Sequence, residues 1–311
     1  MDAEEVANAE AILGRTFGVS TFPSSTKRLS ERTRRWAARV LAGEYGRAMQ
    51  PAQSRLTAAE DSLPPELRAA HAVRRIAAEA PLRVMEGELL VGAAPLLEAA
   101  RHLKPVAGVH GTSHTTLGFE RALTEGLNSY RGRLDARRAL GGLDQDQTVF
   151  LDAMAVSLEA MAVWHERLTS ELTQRIKGAC GIDRQILIDV RQAHARVPWE
   201  PPQSFREAIQ ALWFLWEFQR LCGNWSGVGR IDKILGPYLD EDLAAGALTI
   251  DEARELLAHF WIKGAEWIGA DSGHVGSSGD AQFYQNVVLG GVDENGNPIC
   301  NAVTYLVLDI V

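Results

Sequence analysis

The stretch Asn224-Trp225-Ser-Gly-Val-Gly229-Arg230-Ile-Asp232-Lys-Ile-Leu-Gly-Pro237-Tyr238 is the most informative in the chain. Its glycines let the backbone turn tightly directly after an apolar helix. Arg230 and Asp232 then set a guanidinium fork and a carboxylate at the start of the next helix, beside buried aromatics. Such a pair reads as a partly buried ion pair or a hydrogen-bonded clamp, with substrate contact as the other reading.

Upstream, Glu200-Pro-Pro-Gln203 breaks the chain, and Ser204-x-x-Glu207 is a capping box. The helix it opens, over 205–222, holds Ile209, Leu212, Trp213, Phe214, Leu215, Trp216 and Phe218. Apolar on nearly every side, it belongs inside a large assembly of elements, and Gly223 ends it. From Thr148 to Ile176 apolar residues recur at spacings of three, four and seven. That pattern, with Phe150 among its apolar positions, predicts one long helix whose methionines, Met154 and Met161, are core filler. Near the N-terminus Ser30 caps a helix reaching toward Gly43, with Trp36, Ala37 and Val40 as its apolar stripe. Lys27, Arg28, Arg32, Arg34, Arg35 and Arg39 crowd this stretch and read as a solvated face. A second amphipathic pattern runs over 67–80 and stops at Pro81, and Glu88-Leu-Leu-Val-Gly92 reads as a short buried strand or loop edge.

Downstream, Thr249-x-x-Glu252 is another capping box, opening a helix with Ala253, Leu256, Leu257, Phe260 and Trp261 toward the core. Residues Asn286 to Gly291 are short and β-branched, and Asn295-Gly296 is a hairpin-turn signal. The apolar element from Thr304 to Val311 ends without a cap or polar tail, so a truncated chain or a missing partner segment is expected.

Composition sets outer bounds. The 311 residues carry 32 basic and 40 acidic side chains, a formal charge of −8, which argues against nucleic acid or an anionic membrane as partner. Pro298 to Leu308 is the longest uncharged apolar-leaning stretch, well short of the ~18 residues that a spanning helix needs. The acidic Met-Asp-Ala-Glu-Glu start lacks the basic region of a signal or transit peptide. Cys180, Cys222 and Cys300 form no C-x-x-C, which predicts a cytoplasmic protein with free thiols, each a buried small hydrophobe. No internal boundary stands out, and 1–311 reads as one unit.

His110-Gly-Thr-Ser-His114 has the i, i+4 spacing of helical metal sites, but Gly, Thr and Ser are poor helix formers. A metal-dependent enzyme and a hydrogen-bonded structural role both stay open for it. Gly273-x-x-Gly276-x-x-Gly279 has the wrong spacing for a phosphate loop and reads as a flexible loop.

Gly229-Arg230-Ile-Asp232-x-x-Leu235-x-Pro237-Tyr238 resembles the glycyl radical enzyme family, in its pyruvate formate-lyase-like domain. So do Asp242 to Leu257, Trp261-Ile-Lys263, Gln285 to Gly296 and Asn301. Upstream, Glu88 to Gly92 and Ser113-His114-Thr115-x-x-x-Phe119-Glu120 continue the resemblance over nearly the whole chain. It implies a helix-rich α/β fold: the N-terminal part of a ten-stranded barrel, two parallel five-stranded half-barrels wrapped by helices, incomplete here. It also implies anaerobic radical chemistry. An iron–sulfur, S-adenosylmethionine-dependent activating enzyme makes a glycyl radical near the C-terminus, and a cysteine thiyl then takes hydrogen from a small substrate. No tightly bound cofactor is expected besides that protein-derived radical.

None of the three cysteines occupies the thiyl position, and the radical-glycine motif is absent from these residues. The expectation is therefore a fragment of a glycyl radical lyase or dehydratase that is inert alone, with no catalytic residue of its own. The alternative is a non-catalytic helical scaffold or partner subunit derived from the same fold. By resemblance His114, Asn224 and Trp225 contact substrate, while Arg230 and Asp232 lie behind them and orient the turn. Trp225 and Val228 depart from the smaller residue and the proline common in dehydratase members. A homo-oligomer or a missing C-terminal half is the partner expected, and His114 and Trp225 should lie within roughly 12 Å, the span of one small-molecule pocket.

Overall fold

A computed structural model describes residues 28–47, 54–93, 115–222, 226–266, 268 and 285–310. In chain order the helices before the sheet are α1 (Glu31–Leu41), α2 (Glu44–Arg47), α3 (Ala58–Asp61), α4 (Pro65–Glu79), α5 (Phe119–Glu125), α6 (Leu127–Ala139), α7 (Gln145–Gly178), α8 (Gly181–Arg196) and α9 (Phe205–Leu221). Strand β1 (Gly227–Arg230), α10 (Ile231–Ala244), α11 (Ile250–Gly264), β2 (Gln285–Val288) and α12 (Ala302–Ile310) complete the described elements. No helix among the described residues is long and apolar enough to cross a membrane.

The core is built on α9. Its residues from Phe205 to Leu221 are buried almost without exception, including Trp213, Phe214 and Trp216. One side packs with α10, α11 and α12 through Leu235, Leu239, Leu256, Phe260 and Leu306. The opposite side meets α4 and α7 through Phe214, Phe218, Ile76, Trp164 and Leu168. Truncating one of these aromatics to alanine costs about 3–5 kcal/mol, since the rigid surroundings cannot collapse onto the void. The cap is half the expected motif: the Ser204 side chain accepts from Glu207 N–H, whereas Glu207 turns back to the N–H of Gln203. At Thr249 both halves of the capping box form.

The long periodic segment is one helix of 34 residues, about 51 Å at ~1.5 Å per residue. Its first turns contradict the expected core facing: Phe150 is 57% and Met154 38% exposed, whereas Leu158 and Met161 pack against the core. Farther along, Arg167 donates to the carbonyls of Ala77 (2.6 Å) and Ala80 (2.7 Å). A guanidinium there satisfies carbonyls at the end of α4 that the helix itself leaves open.

Glu88 to Gly92 is a buried loop with no ladder of its own. Side chains take the place of a neighbouring strand: Leu89 N–H donates to His259 Nδ1, and the Gln210 amide pairs with both the N–H and C=O of Val91. With Nδ1 accepting, the neutral His259 ring carries its proton on Nε2, toward the Thr33 hydroxyl 3.0 Å away. The arginines near α1 are largely engaged with carboxylates. Arg32 reaches Asp183, Arg39 holds Glu44, and Arg28 meets the buried carboxylate of Asp309. Cys180 and Cys300 are exposed and Cys222 half-buried, which corrects the expectation of three buried thiols. Cys180 and Cys300 lie outside regular elements, where packing does not enclose them.

Strands β1 and β2 pair in parallel, with Gly227 opposite Gln285 and Gly229 opposite Val287. On the other edge of β1, Thr116 makes a parallel bridge with Gly227. The glycines after α9 thus form a strand where sequence suggested only a turn. Gly229, at φ +80°, is needed because a Cβ would sit 2.7 Å from the Thr116 methyl.

Candidate functional site

Asp232 opens α10 and is fully buried. Its carboxylate accepts from the N–H of Gly290 (2.5 Å), the hydroxyl of Thr304 (2.7 Å) and the N–H of Lys233 (2.8 Å). Arg230, half-buried two residues earlier at the end of β1, donates through Nη2 to the carbonyls of Gly290 (3.0 Å) and Val292 (2.9 Å). The two residues therefore do not pair with each other. Both grip the loop that leaves β2, one through its N–H and one through its carbonyls. Asn301 closes the arrangement by donating to the carbonyl of Asp232, and Gly236 leaves room for it: a Cβ there would lie 2.1 Å from Asn301 Nδ2. Beyond the clamp, Asp293 accepts from the N–H groups of Asn295 and Asn297, forming the expected turn at Asn295-Gly296.

At the carboxyl ends of Thr116, β1 and β2 lies a cavity of about 650 Å³. Leu117, Ile234 and Val288 form its apolar wall, with Arg121, Arg230 and Lys233 as cationic members and Glu120 as the anionic one. Arg121 pairs with Glu125 (2.7 Å) and Lys233 with Glu120 (3.2 Å). Sequence reasoning singled out none of Thr116, Arg121 and Lys233, although Lys233 directly follows Asp232 and Thr116 follows the His114 motif.

A second polar centre is wholly internal. Lys263 Nζ meets Glu88 (2.6 Å) and Glu266 (3.3 Å), and Arg83 reaches Glu266 (3.0 Å). The ammonium also lies over the Trp213 ring, 5.3 Å from its centroid. Burial pushes Glu88 up while the Lys263 ammonium pulls against it. Nearby, burial drives Glu217 up to about 8, so that at neutral pH it is a carboxylic acid accepting from the Trp164 indole (2.6 Å). These groups join α7, α9, α11 and the buried loop. Among the described residues, no group of three His, Cys, Asp or Glu side chains has the geometry to hold a metal ion.

His110, His114, Asn224 and Trp225 lie outside the described residues, as do Gly223 and the glycine-rich segment from Gly273 to Gly279. The described backbone nonetheless reaches close to the two segments that carry them. Gly227 N–H donates to the carbonyl of Thr115 (3.2 Å), and Thr116 is bridged to Gly227 in parallel. One partner stands two residues after His114, the other two residues after Trp225.

The sequence profile described as pyruvate formate lyase-like matches residues 98–311. Isethionate sulfite-lyase of Desulfovibrio desulfuricans is 30% identical over 205 residues, covering 61% of this chain and 24% of that protein. Trans-4-hydroxy-L-proline dehydratase of Clostridioides difficile is 24% identical over 208 residues, covering 64% of this chain and 26% of that one. The glycerol-bound form of the B12-independent glycerol dehydratase from Clostridium butyricum superposes with a TM-score of 0.75 at 18% identity, over 93% of this chain and 46% of that structure. This chain thus spans about a quarter of the curated relatives it matches and a little under half of that solved structure. The fold shared with such structures is a glycyl radical enzyme barrel, of which this chain covers part.

Proposed function

Because this chain belongs to the pyruvate formate lyase-like family, the glycyl radical enzymes, we propose that it forms the substrate-binding portion of a radical lyase or dehydratase acting on a small polar molecule. The observation that carries the reading is the parallel pairing of Thr116 with Gly227. It supports a pocket to which both neighbouring segments contribute, with His114, Asn224 and Trp225 as the residues that touch substrate. Their chemistry suits a polyol or hydroxy acid: an imidazole and an amide to hold hydroxyl groups, and an indole to exclude water. Arg230 and Asp232 act through the backbone, fixing the loop after β2 and with it the strand ends that frame the pocket.

In this family a glycyl radical supplies hydrogen abstraction through a cysteine thiyl, chemistry that needs a centre shielded from water and oxygen. The exposed Cys180 and Cys300 do not fit that requirement. Cys222 packs beside the core that α9 shares with α4 and α7. None of the three cysteines matches the family's thiyl position and these residues hold no radical-glycine motif, so the radical machinery is assigned to residues other than these 311, activated by a radical S-adenosylmethionine enzyme in the cytoplasm of an anaerobe.

Two measurements test the proposal. After anaerobic incubation of these 311 residues with a glycyl radical activating enzyme and S-adenosylmethionine, electron paramagnetic resonance should show no glycyl doublet. A ligand-observed NMR titration with glycerol and isethionate should show binding of at least one, weakened about tenfold by His114→Ala, the loss of one good hydrogen bond. A doublet, or binding indifferent to His114 and Asn224, overturns it.

A further inference from the structure

We propose that the exposed tip of the α6–α7 hairpin is a docking surface for a second copy of this chain, giving a weak two-fold dimer. The reading begins with α7. Its apolar stripe runs back from the half-buried Leu158 through Met154 to Phe150 in steps of four, past the end of the elements that cover it. Leu140, where α6 ends, is 81% exposed and adds a third large apolar side chain to the same hairpin. One such side chain at a surface is ordinary, whereas several on one supersecondary unit mark an interaction site.

The hairpin is held rigid without a partner. Arg138 joins Asp152 across it (2.7 Å) and donates to the Leu151 carbonyl, and both halves of a capping box form at Asp144. A surface fixed in this way docks with little ordering cost.

Charge selects the occupant. Arg133 pairs with Glu125, Arg138 with Asp152, and Asp144 serves the cap of α7. Arg137, one turn before Leu140, donates to the Gly141 carbonyl but meets no carboxylate among the described residues. Asp146, one turn before Phe150, is exposed and meets no cation among them. One hairpin therefore carries an uncommitted cation and an uncommitted anion beside a single apolar patch. A two-fold axis through the patch sets Arg137 of each chain against Asp146 of the other and packs Phe150 and Met154 on their counterparts. An acidic or a basic partner would answer only one of the two charges.

Size sets the strength. The first turns of α7, over 145–158, are about 21 Å long at ~1.5 Å per residue, and with the end of α6 beside them they offer on the order of 400 Å² per chain. That is below the ~1,200 Å² in total of a standard interface, so the dimer should have a Kd of about 10–50 μM. The surface includes none of the residues assigned to substrate, so its test is independent of that reading.

Sedimentation velocity of the 311-residue chain from about 2 to 200 μM should show a monomer–dimer equilibrium. Phe150→Asp, at an exposed position where circular dichroism should show the fold unchanged, should raise Kd at least about thirtyfold. Asp146→Arg and Arg137→Asp should each weaken the dimer about tenfold. An equimolar mixture of those two variants should recover affinity to within about threefold, because both like-charge contacts become opposite-charge ones. With Cys180, Cys222 and Cys300 changed to serine, the thiol of Phe150→Cys should react faster with maleimide on dilution. Four results overturn the proposal: a monomer throughout the range, a dimer indifferent to Phe150→Asp or lost instead with Leu308→Asp on α12, no recovery in the mixture, or a thiol blocked at every dilution because another stretch of the same chain covers it.

Discussion

Asp232 is the residue on which the strand-end geometry turns. Fully buried, it accepts three hydrogen bonds from three separate stretches of chain. A buried carboxylate costs several kcal/mol to desolvate, and its hydrogen bonds must offset that. Asp232→Ala leaves the Gly290 N–H and the Thr304 hydroxyl without acceptors, so unfolding free energy in urea should fall by about 3 kcal/mol. Arg230→Met should cost less than half as much, because its carbonyl partners lie at the more exposed rim. Equal losses would mean that the clamp is not organised around the carboxylate. From sequence, Arg230 and Asp232 were visible as a clamp, but its object was not: Gly290 lies 58 positions beyond Asp232 and only the fold brings it there.

Glu217 makes the opposite kind of statement. Burial holds its carboxyl at about 8, above the ~4.3 of an exposed glutamate. A folded pKa above the unfolded one means that stability is complete below pH ~4.3 and erodes as pH rises toward 8. Glu217→Gln keeps an acceptor for the Trp164 indole and abolishes ionisation. Its gain in stability over wild type should be about 3 kcal/mol larger at pH 8 than at pH 5. A variant less stable than wild type at both pH values would contradict a neutral carboxylic acid.

Between elements, α7 and α8 meet through a stacked pair of imidazoles, His165 and His194, with centroids 4.0 Å apart. His165 Nε2 donates to the carbonyls of His194 (2.7 Å) and Val197 (3.1 Å), and Phe214 of α9 closes the stack from the side. Burial lowers both pKa values; the neighbouring ring adds to this for His194, while the carbonyls of His194 and Val197, and less so Glu166, oppose it for His165. The sign follows directly: with folded pKa values below the unfolded ~6.5, stability is complete above pH 6.5 and is lost on acidification. The loss is larger for His194, which lies well below the ordinary value, than for His165. Urea midpoints between pH 7 and 5 should therefore fall more steeply in wild type than in His194→Phe. Parallel slopes would remove the pair from the acid response.

Elements were legible where periodicity is strong. The three-four-seven spacing of α7 and the all-round apolarity of α9 have only one physical solution. Legibility failed where long-range contacts override local pattern. Glu88 to Gly92 has the composition of a strand, yet Gln210 and His259 satisfy its backbone in place of one. Gly227 to Arg230 looks like a turn, yet it pairs on both sides. Phe150 and Met154 show that periodicity gives a face without saying how far a neighbour extends along it.

At the scale of the molecule, α10 packs on both strands of a small parallel sheet, and the strand ends frame the place where substrate is proposed to bind. The family was legible because its motifs fall in order along the chain; the cationic cavity was not, since Arg121 and Lys233 meet only through the fold. The central claim is that the segments carrying His114 and Trp225 face one pocket, and bifunctional cross-linking tests it most directly. In a background with Cys180, Cys222 and Cys300 changed to serine, His114→Cys and Trp225→Cys are combined and treated with a bis-maleimide spanning about 12 Å, the width of one small-molecule site. Rapid intramolecular cross-linking, read by mass spectrometry and slowed by a bound substrate, is the predicted result. Two thiols that both react with single maleimides but never with each other would contradict the account.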